Sequence, residues 1–128
     1  MKKKEILGLV EDVIIEGTKK VHARALIDTG ATRSSVDTAI AEKAGLGPVI
    51  GSVAVKKAHT PEKQTRVQIA GKLILRENRF DVNFTVSDRS KMFTPVLIGR
   101  DVLFSNFLVD VEKTHFSNKI TDLRERGD

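Results

Sequence analysis

The sequence has no cysteine, tryptophan or tyrosine, and only three prolines in 128 residues. Without cysteine it has neither disulfides nor thiolate metal ligands, a pattern compatible with a reducing compartment. No segment approaches the roughly 20 consecutive apolar residues of a membrane-spanning helix. Lys2, Lys3 and Lys4 before an apolar stretch resemble the opening of a signal peptide, but Glu11 and Asp12 cut that stretch short. A soluble, cytoplasmic protein with no membrane contact is the expectation. Basic residues outnumber acidic ones by 22 to 17, giving a formal charge of +5, and such an excess can favour polyanions. The six phenylalanines do not interleave with the basic clusters as a base-stacking platform would. Nucleic acid is therefore not the expected partner, and a solvated lysine-rich surface is the simpler meaning.

What is present is strand periodicity. The length suits one domain with its own core, expected over residues 1–115, with a charged tail at 116–128. Residues 6–15 form an apolar strand, and Gly17 lies in the turn before a second strand at 21–27. There Val21, Ala23, Ala25 and Ile27 share the core face, opposite His22, Arg24 and Leu26. Ser34 or Ser35 is placed to cap a helix starting near Val36, with Asp37 in its first turn and Gly45 or Gly47 at its end. Val53–Val55 and Val67–Ile69 flank the polar segment 56–66, as in a long hairpin. Gly71-Lys72 suggests a turn or bulge. Phe80, Val82, Phe84 and Val86 alternate with polar residues, a half-buried strand. A short strand at 96–98, a short helix over 100–106 and alternation at Phe107, Val109 and Val111 complete the pattern. Many short strands and few helices predict an all-β, closed or nearly closed structure. No internal repeat is detectable.

Asp28-Thr29-Gly30-Ala31 follows the strand 21–27 and occurs once. Such a composition serves a tight turn, in which the aspartate accepts backbone hydrogen bonds. Less often it holds a carboxylate at a strand end for chemistry, with Gly30 letting the backbone turn and a substrate approach. Proton-sharing carboxylates activate water when two are brought together. One suitable aspartate per chain does this only across a two-fold axis from a second copy. About seventy residues later, Val96-Leu97-Ile98-Gly99-Arg100-Asp101 supplies another apolar strand ending in glycine.

Together the two segments resemble the retropepsin-like aspartic protease family, a likeness extending over roughly residues 6–115. It implies an acid-protease β-barrel with one or two short helices, and an endopeptidase active as a homodimer on extended peptide or protein substrates. It implies Asp28, Thr29 and Gly30 as catalytic residues, and Leu26, Gly30, Ala31, Thr32, His59 and Ile98 as substrate-binding ones. No cofactor and no metal are expected. Ile27-Asp28-Thr29-Gly30-Ala31 with Ser34-Ser35, Asp88-Arg89-Ser90 with Met92, Leu97-Ile98-Gly99-Arg100 and Phe107-Leu108-Val109-Asp110 are similar to one prokaryotic subfamily in particular. That subfamily is associated with ATP-grasp ligases and labelled "ATP-dependent zinc protease", which implies a ligase-associated partner. Yet His22, His59 and His115 are isolated, and no His-Glu-x-x-His helix accompanies them. No glycine-rich loop carries the lysine and hydroxyl that cradle ATP phosphates.

Two features depart from the viral pattern. Thr32 stands where an acidic residue usually pairs with the arginine of the later motif, so Arg100 needs another acceptor, and Asp101 is expected to cap its helix. The presumed flap, 56–66, lacks a glycine-rich tip and contains Pro61. Asp88-Arg89 forms a local salt-bridged turn or lines the end of the cleft. The rival readings are a non-catalytic peptide-binding module on the same fold and a basic RNA- or ribosome-associated adaptor.

Overall fold

Among the described residues, alternation with a period of two is realised as ten strands, interrupted by two short helices. The computed structural model describes residues 3–56 and 60–115. In chain order the elements are β1 (Glu5–Leu7), β2 (Val10–Glu16), β3 (Lys20–Ile27), β4 (Ser35–Asp37), α1 (Thr38–Ala44), β5 (Val49–Lys56) and β6 (Lys63–Leu75). They continue with β7 (Asn78–Ser87), β8 (Val96–Ile98), α2 (Arg100–Leu103), β9 (Phe107–Val109) and β10 (Thr114–His115).

Six strands close on themselves in the order β2-β3-β8-β4-β7-β6, with β6 pairing back onto β2. This is the closed all-β barrel expected from the sequence. β5 extends from β6 as the outer arm of a hairpin, and β10 adds in parallel to the first residues of β2, on the edge whose far end pairs with β6. β1 and β9 form a separate parallel pair, Ile6 in register with Leu108. Phe107 of β9 meets Phe80 of β7 edge-on, with ring centroids 5.9 Å apart, which ties this pair to the barrel.

Residues in register share one side of a sheet, so the ladders sort the barrel into two faces. Ala25 and Ile27 lie beside Val96 and Ile98, and Val96 beside Val36; all five are buried in the core. Phe84 is fully buried on the same side, a burial that contributes roughly 2–3 kcal/mol. Leu26 lies beside Leu97, Leu97 beside Ser35, Ser35 beside Thr85, and Thr85 beside Gln68. These residues line the opposite face. Asp28 continues β3 with the same parity as Leu26.

Several local expectations are corrected. Residues 6–15 are two strands, broken at Gly8-Leu9. Neither Ser34 nor Ser35 caps α1: residues 35–37 are a strand, and Asp37 caps it, accepting from Ala39 N at 3.0 Å. The two serines are buried in the barrel wall, where their hydroxyls serve strand and loop partners. Gly45 ends α1 in the left-handed conformation with φ 64°. Gly71 lies within the continuous β6, where its missing side chain admits Leu46 and Phe84. The turn falls instead at Arg76 and Glu77, both left-handed at φ 51° and 68°, and lacks the glycine or asparagine that marks such turns. Asn78 Nδ2 donates to the Leu75 and Arg76 carbonyls there. The helix expected over 100–106 ends at Leu103, and Val111 lies beyond β9, exposed.

Candidate active site

β3 delivers Asp28 to the rim of the barrel, and β8 passes directly beneath it. The Asp28 N–H donates to Ile98 O at 2.9 Å, and the Asp28 carbonyl accepts from Ala31 N at 3.2 Å. Asp28 Oδ1 accepts the Gly30 N–H at 2.9 Å. Asp28 is thus both a turn residue and a carboxylate held at a strand end. One oxygen orders the loop, and the half-buried carboxylate stays at the solvent edge.

The loop 28–34 is fastened to the start of α2 along its length. Arg100 N donates to Ala31 O at 2.8 Å. With Thr32 in place of an acidic residue, the Arg100 side chain donates from Nη1 to Thr29 O at 2.9 Å and from Nη2 to Thr32 Oγ1 at 3.2 Å. Thr32 is therefore engaged in holding Arg100. Ser34 is buried at the centre of this fastening: its Oγ accepts from Gly99 N at 3.0 Å and donates to Asp101 Oδ1 at 2.7 Å. The Ser34 N–H donates to Asp101 Oδ2 at 3.0 Å. Asp101 does not cap α2 as expected; its carboxylate is drawn across to the loop, and α2 has no side-chain cap. Gly99 allows the close crossing, since a Cβ there would lie 2.8 Å from Ala31 O, Arg33 C and Arg33 O.

Asp28, Thr29, Gly30 and Ala31 come together in this loop, with Thr29 and Gly30 exposed. Leu26 lies on the loop's face of the barrel, half-buried beside Leu97. Ile98 does not: it is fully buried in the core, and Leu97 occupies the position expected of it. The one-residue difference follows from strand parity. His59 falls outside the described residues, as does the tail 116–128. Among the described residues, no group of three or more His, Asp or Glu is placed to hold a metal. No helix there is long and apolar enough to cross a membrane.

Sequence reasoning offered Asp88-Arg89 as one end of this face but missed the buried hydroxyl pair beside it. Ser35 Oγ and Thr85 Oγ1 are 2.6 Å apart in a buried hydroxyl pair. Beyond them, Asp88 and Arg89 do not form the local ion pair expected. Asp88 accepts from Ser90 N at 2.9 Å, and hydrogen bonding to Ser90 holds its carboxyl below the ordinary range. Arg89 turns inward and is only 7% exposed. Its main-chain N–H reaches Asp37 Oδ1 at 2.7 Å, and its Nε reaches Thr94 O at 3.1 Å. Burial lowers its guanidinium below the usual range, the nearby charge of Arg66 adds to this, and Asp37 and Asp28 oppose it. Arg89 therefore lies within electrostatic reach of Asp28. The one available signal was an arginine bracketed by short polar residues after a long amphipathic strand.

Among the described residues, a concavity of about 280 Å³ reaches the end of the loop, lined by residues including Arg33, Gln68 and Asp101, and others lie away from it. One of about 480 Å³, between α1 and β6, is lined by residues including Ala41, Leu46, Val67 and Ile69 and contains none of the loop residues.

The family described as "gag-polyprotein putative aspartyl protease" matches residues 12–105. No curated protein sequence matches the chain significantly. Among solved structures, a Legionella pneumophila protein of unknown function, Lpg0085, is similar at TM-score 0.64 and 16% identity, covering 91% of this chain and all of that one. The EIAV protease complexed with the inhibitor HBY-793 is similar at TM-score 0.58 and 18% identity, covering 80% of this chain and 88% of its own. The simian foamy virus (mac) protease gives TM-score 0.53 and 17% identity over 72% of this chain and 88% of its own. At these identities the structural likeness establishes a shared fold.

Proposed function

Because the chain belongs to the gag-polyprotein aspartyl protease family, we propose that it is an aspartic endopeptidase whose site is completed by a second copy. The observation that carries this reading is the single Asp28, held at the rim of the barrel by a loop fastened to β8 and α2. Two such carboxylates facing each other share one proton. The ionised one takes a proton from water while the protonated one donates to the scissile carbonyl oxygen. Thr29, exposed beside Asp28, is placed to hydrogen-bond across the two-fold axis. Gly30, with only Asp28 Oδ1 near its missing side chain at 3.3 Å, gives the substrate backbone close access. Leu26 and Ala31 shape the floor of the cleft, and the β5–β6 hairpin offers strand edges to an extended peptide.

The β1–β9 pair supports dimerisation. It is a two-stranded sheet with Ile6 and Leu108 side by side and about half exposed, at 46% and 53%, and strands left at a sheet edge recruit further strands. The Asp88-Arg89-Ser90 motif with Met92 favours the ATP-grasp-associated group, which would make a ligase-associated protein the partner.

The test is incubation of wild-type and Asp28→Asn proteins with a diverse peptide library across acidic to neutral pH. Wild-type cleavage is expected to vanish in the folded variant, because an amide cannot act as the base. Wild-type cleavage should also follow the dimer fraction on dilution. Equal cleavage by both purified proteins, or full specific activity in a stable monomer, refutes the shared-carboxylate mechanism. Peptide binding without cleavage by the wild type assigns a binding module instead.

A further inference from the structure

The polar end of the cleft face carries positive charge that the proposed peptidase chemistry does not use. Val53 of β5 is in register with Arg66 of β6. Arg66 is two residues from Gln68, which faces Thr85, and therefore lies on the same side as Leu26, Leu97 and Asp28. Its Nε is buried and, among the described residues, has no hydrogen-bond acceptor. Its Nη2 reaches Gln64 Oε1 only at 3.5 Å, the limit of a hydrogen bond. Arg89 enters from the loop after β7, buried, with Nε fixed on Thr94 O. The two guanidinium groups are close enough to repel each other. A half-buried arginine with an unmatched donor, set against a second buried arginine, is an arrangement that an incoming anion stabilises.

We propose that Arg66 and Arg89 form an anion subsite at one end of the cleft, taking a substrate carboxylate close to the scissile bond. The inference rests on the endopeptidase reading of the same cleft. The planar donors of arginine match a carboxylate in two-point fashion, and Ser35 and Thr85 replace the apolar floor on that side with hydroxyls. The carboxylate belongs either to an acidic side chain or to a peptide C-terminus, and both present the same two oxygens.

The experiment uses amidated hexapeptides carrying Glu or Gln at successive positions. A parallel set contains Gln only and has a free C-terminal carboxylate. Cleavage is measured with the wild type, and binding with both the wild type and Asp28→Asn. The expected result is a preference of about 10- to 100-fold for Glu over Gln at one position, as charge-assisted hydrogen bonds give. Arg66→Gln and Arg89→Lys should each reduce the ratio, and Arg66→Lys, which keeps the charge, should restore part of it. A preference confined to the free-carboxylate set assigns the subsite to a chain terminus. Equal binding of all three peptide classes to both proteins overturns the proposal. A carboxylate preference in binding, with no wild-type cleavage of any peptide, leaves the subsite standing and removes the endopeptidase reading.

Discussion

Replacing Gly99 by alanine tests whether β8 truly passes beneath the Asp28 loop. Gly99 has φ −102° and ψ −170°, extended backbone open to any residue, so the penalty is one of space. The new Cβ would lie 2.8 Å from three backbone atoms, Ala31 O, Arg33 C and Arg33 O, and relief needs a shift of roughly half an ångström. The loop cannot retreat freely. Ala31 O is held by Arg100 N at 2.8 Å, and Ser34 Oγ by Gly99 N itself at 3.0 Å. Overpacking together with one weakened hydrogen bond costs roughly 2–4 kcal/mol. At about 4 °C per kcal/mol for a domain of this size, the melting midpoint should fall by roughly 8–16 °C. Gly99→Val should be worse. Gly47→Ala is the control: nothing lies within 4 Å of its added Cβ, and its midpoint should stay within about 2 °C of wild type. Thermal unfolding followed by circular dichroism reads all three. A Gly99→Ala midpoint no lower than that of Gly47→Ala would refute the close crossing.

Ser34→Ala removes the hydroxyl that joins Gly99 to Asp101 and leaves a buried N–H without its acceptor. A loss of about 1–3 kcal/mol is expected in urea unfolding, and an unchanged midpoint counts against the fastening role. Glu11 is buried with its carboxylate on Gly8 N at 2.6 Å and Arg76 Nε at 3.0 Å. Glu11→Ala should cost roughly 3 kcal/mol, at the low end for a buried pair because the Arg76 side chain retains access to water. A loss below about 1 kcal/mol would show that the pair contributes little. Leu108→Glu places a charge on the exposed face of the β1–β9 pair, and sedimentation should show the proposed dimerisation weakened at least tenfold with the monomer fold intact. Unaltered self-association would move the interface elsewhere.

Strand alternation made most of the barrel legible from residues alone. Phe80, Val82, Phe84 and Val86 form one stripe because a strand's period of two leaves no other arrangement that buries them together. Gly45 marked the end of α1 for an equally local reason, the left-handed conformation that glycine adopts without strain. The Asp28-Thr29-Gly30-Ala31 loop was legible because it combines a strand end, a carboxylate and a glycine within four residues. Turn chemistry failed at Arg76-Glu77, where ordinary residues hold left-handed conformations and Asn78 satisfies the exposed carbonyls.

Other features depended on contacts between segments distant in sequence. Ser34 reads locally as a helix cap, but Asp101, 67 positions away, captures its hydroxyl once β8 lies under the loop. Ile98 and Leu97 are equally apolar, and only the register of β8 against β3 sends one into the core and the other to the face that carries Leu26. Arg66 and Arg89 look like two surface charges until the fold buries Arg89 within electrostatic reach of Arg66 and Asp28. The sequence by itself determined the strands, the core stripe and the carboxylate loop, because those follow from local periodicity and backbone stereochemistry. The tertiary structure alone decided which face each side chain meets and which charges converge, because hydrogen-bond register and burial are properties of segments only after they are brought together.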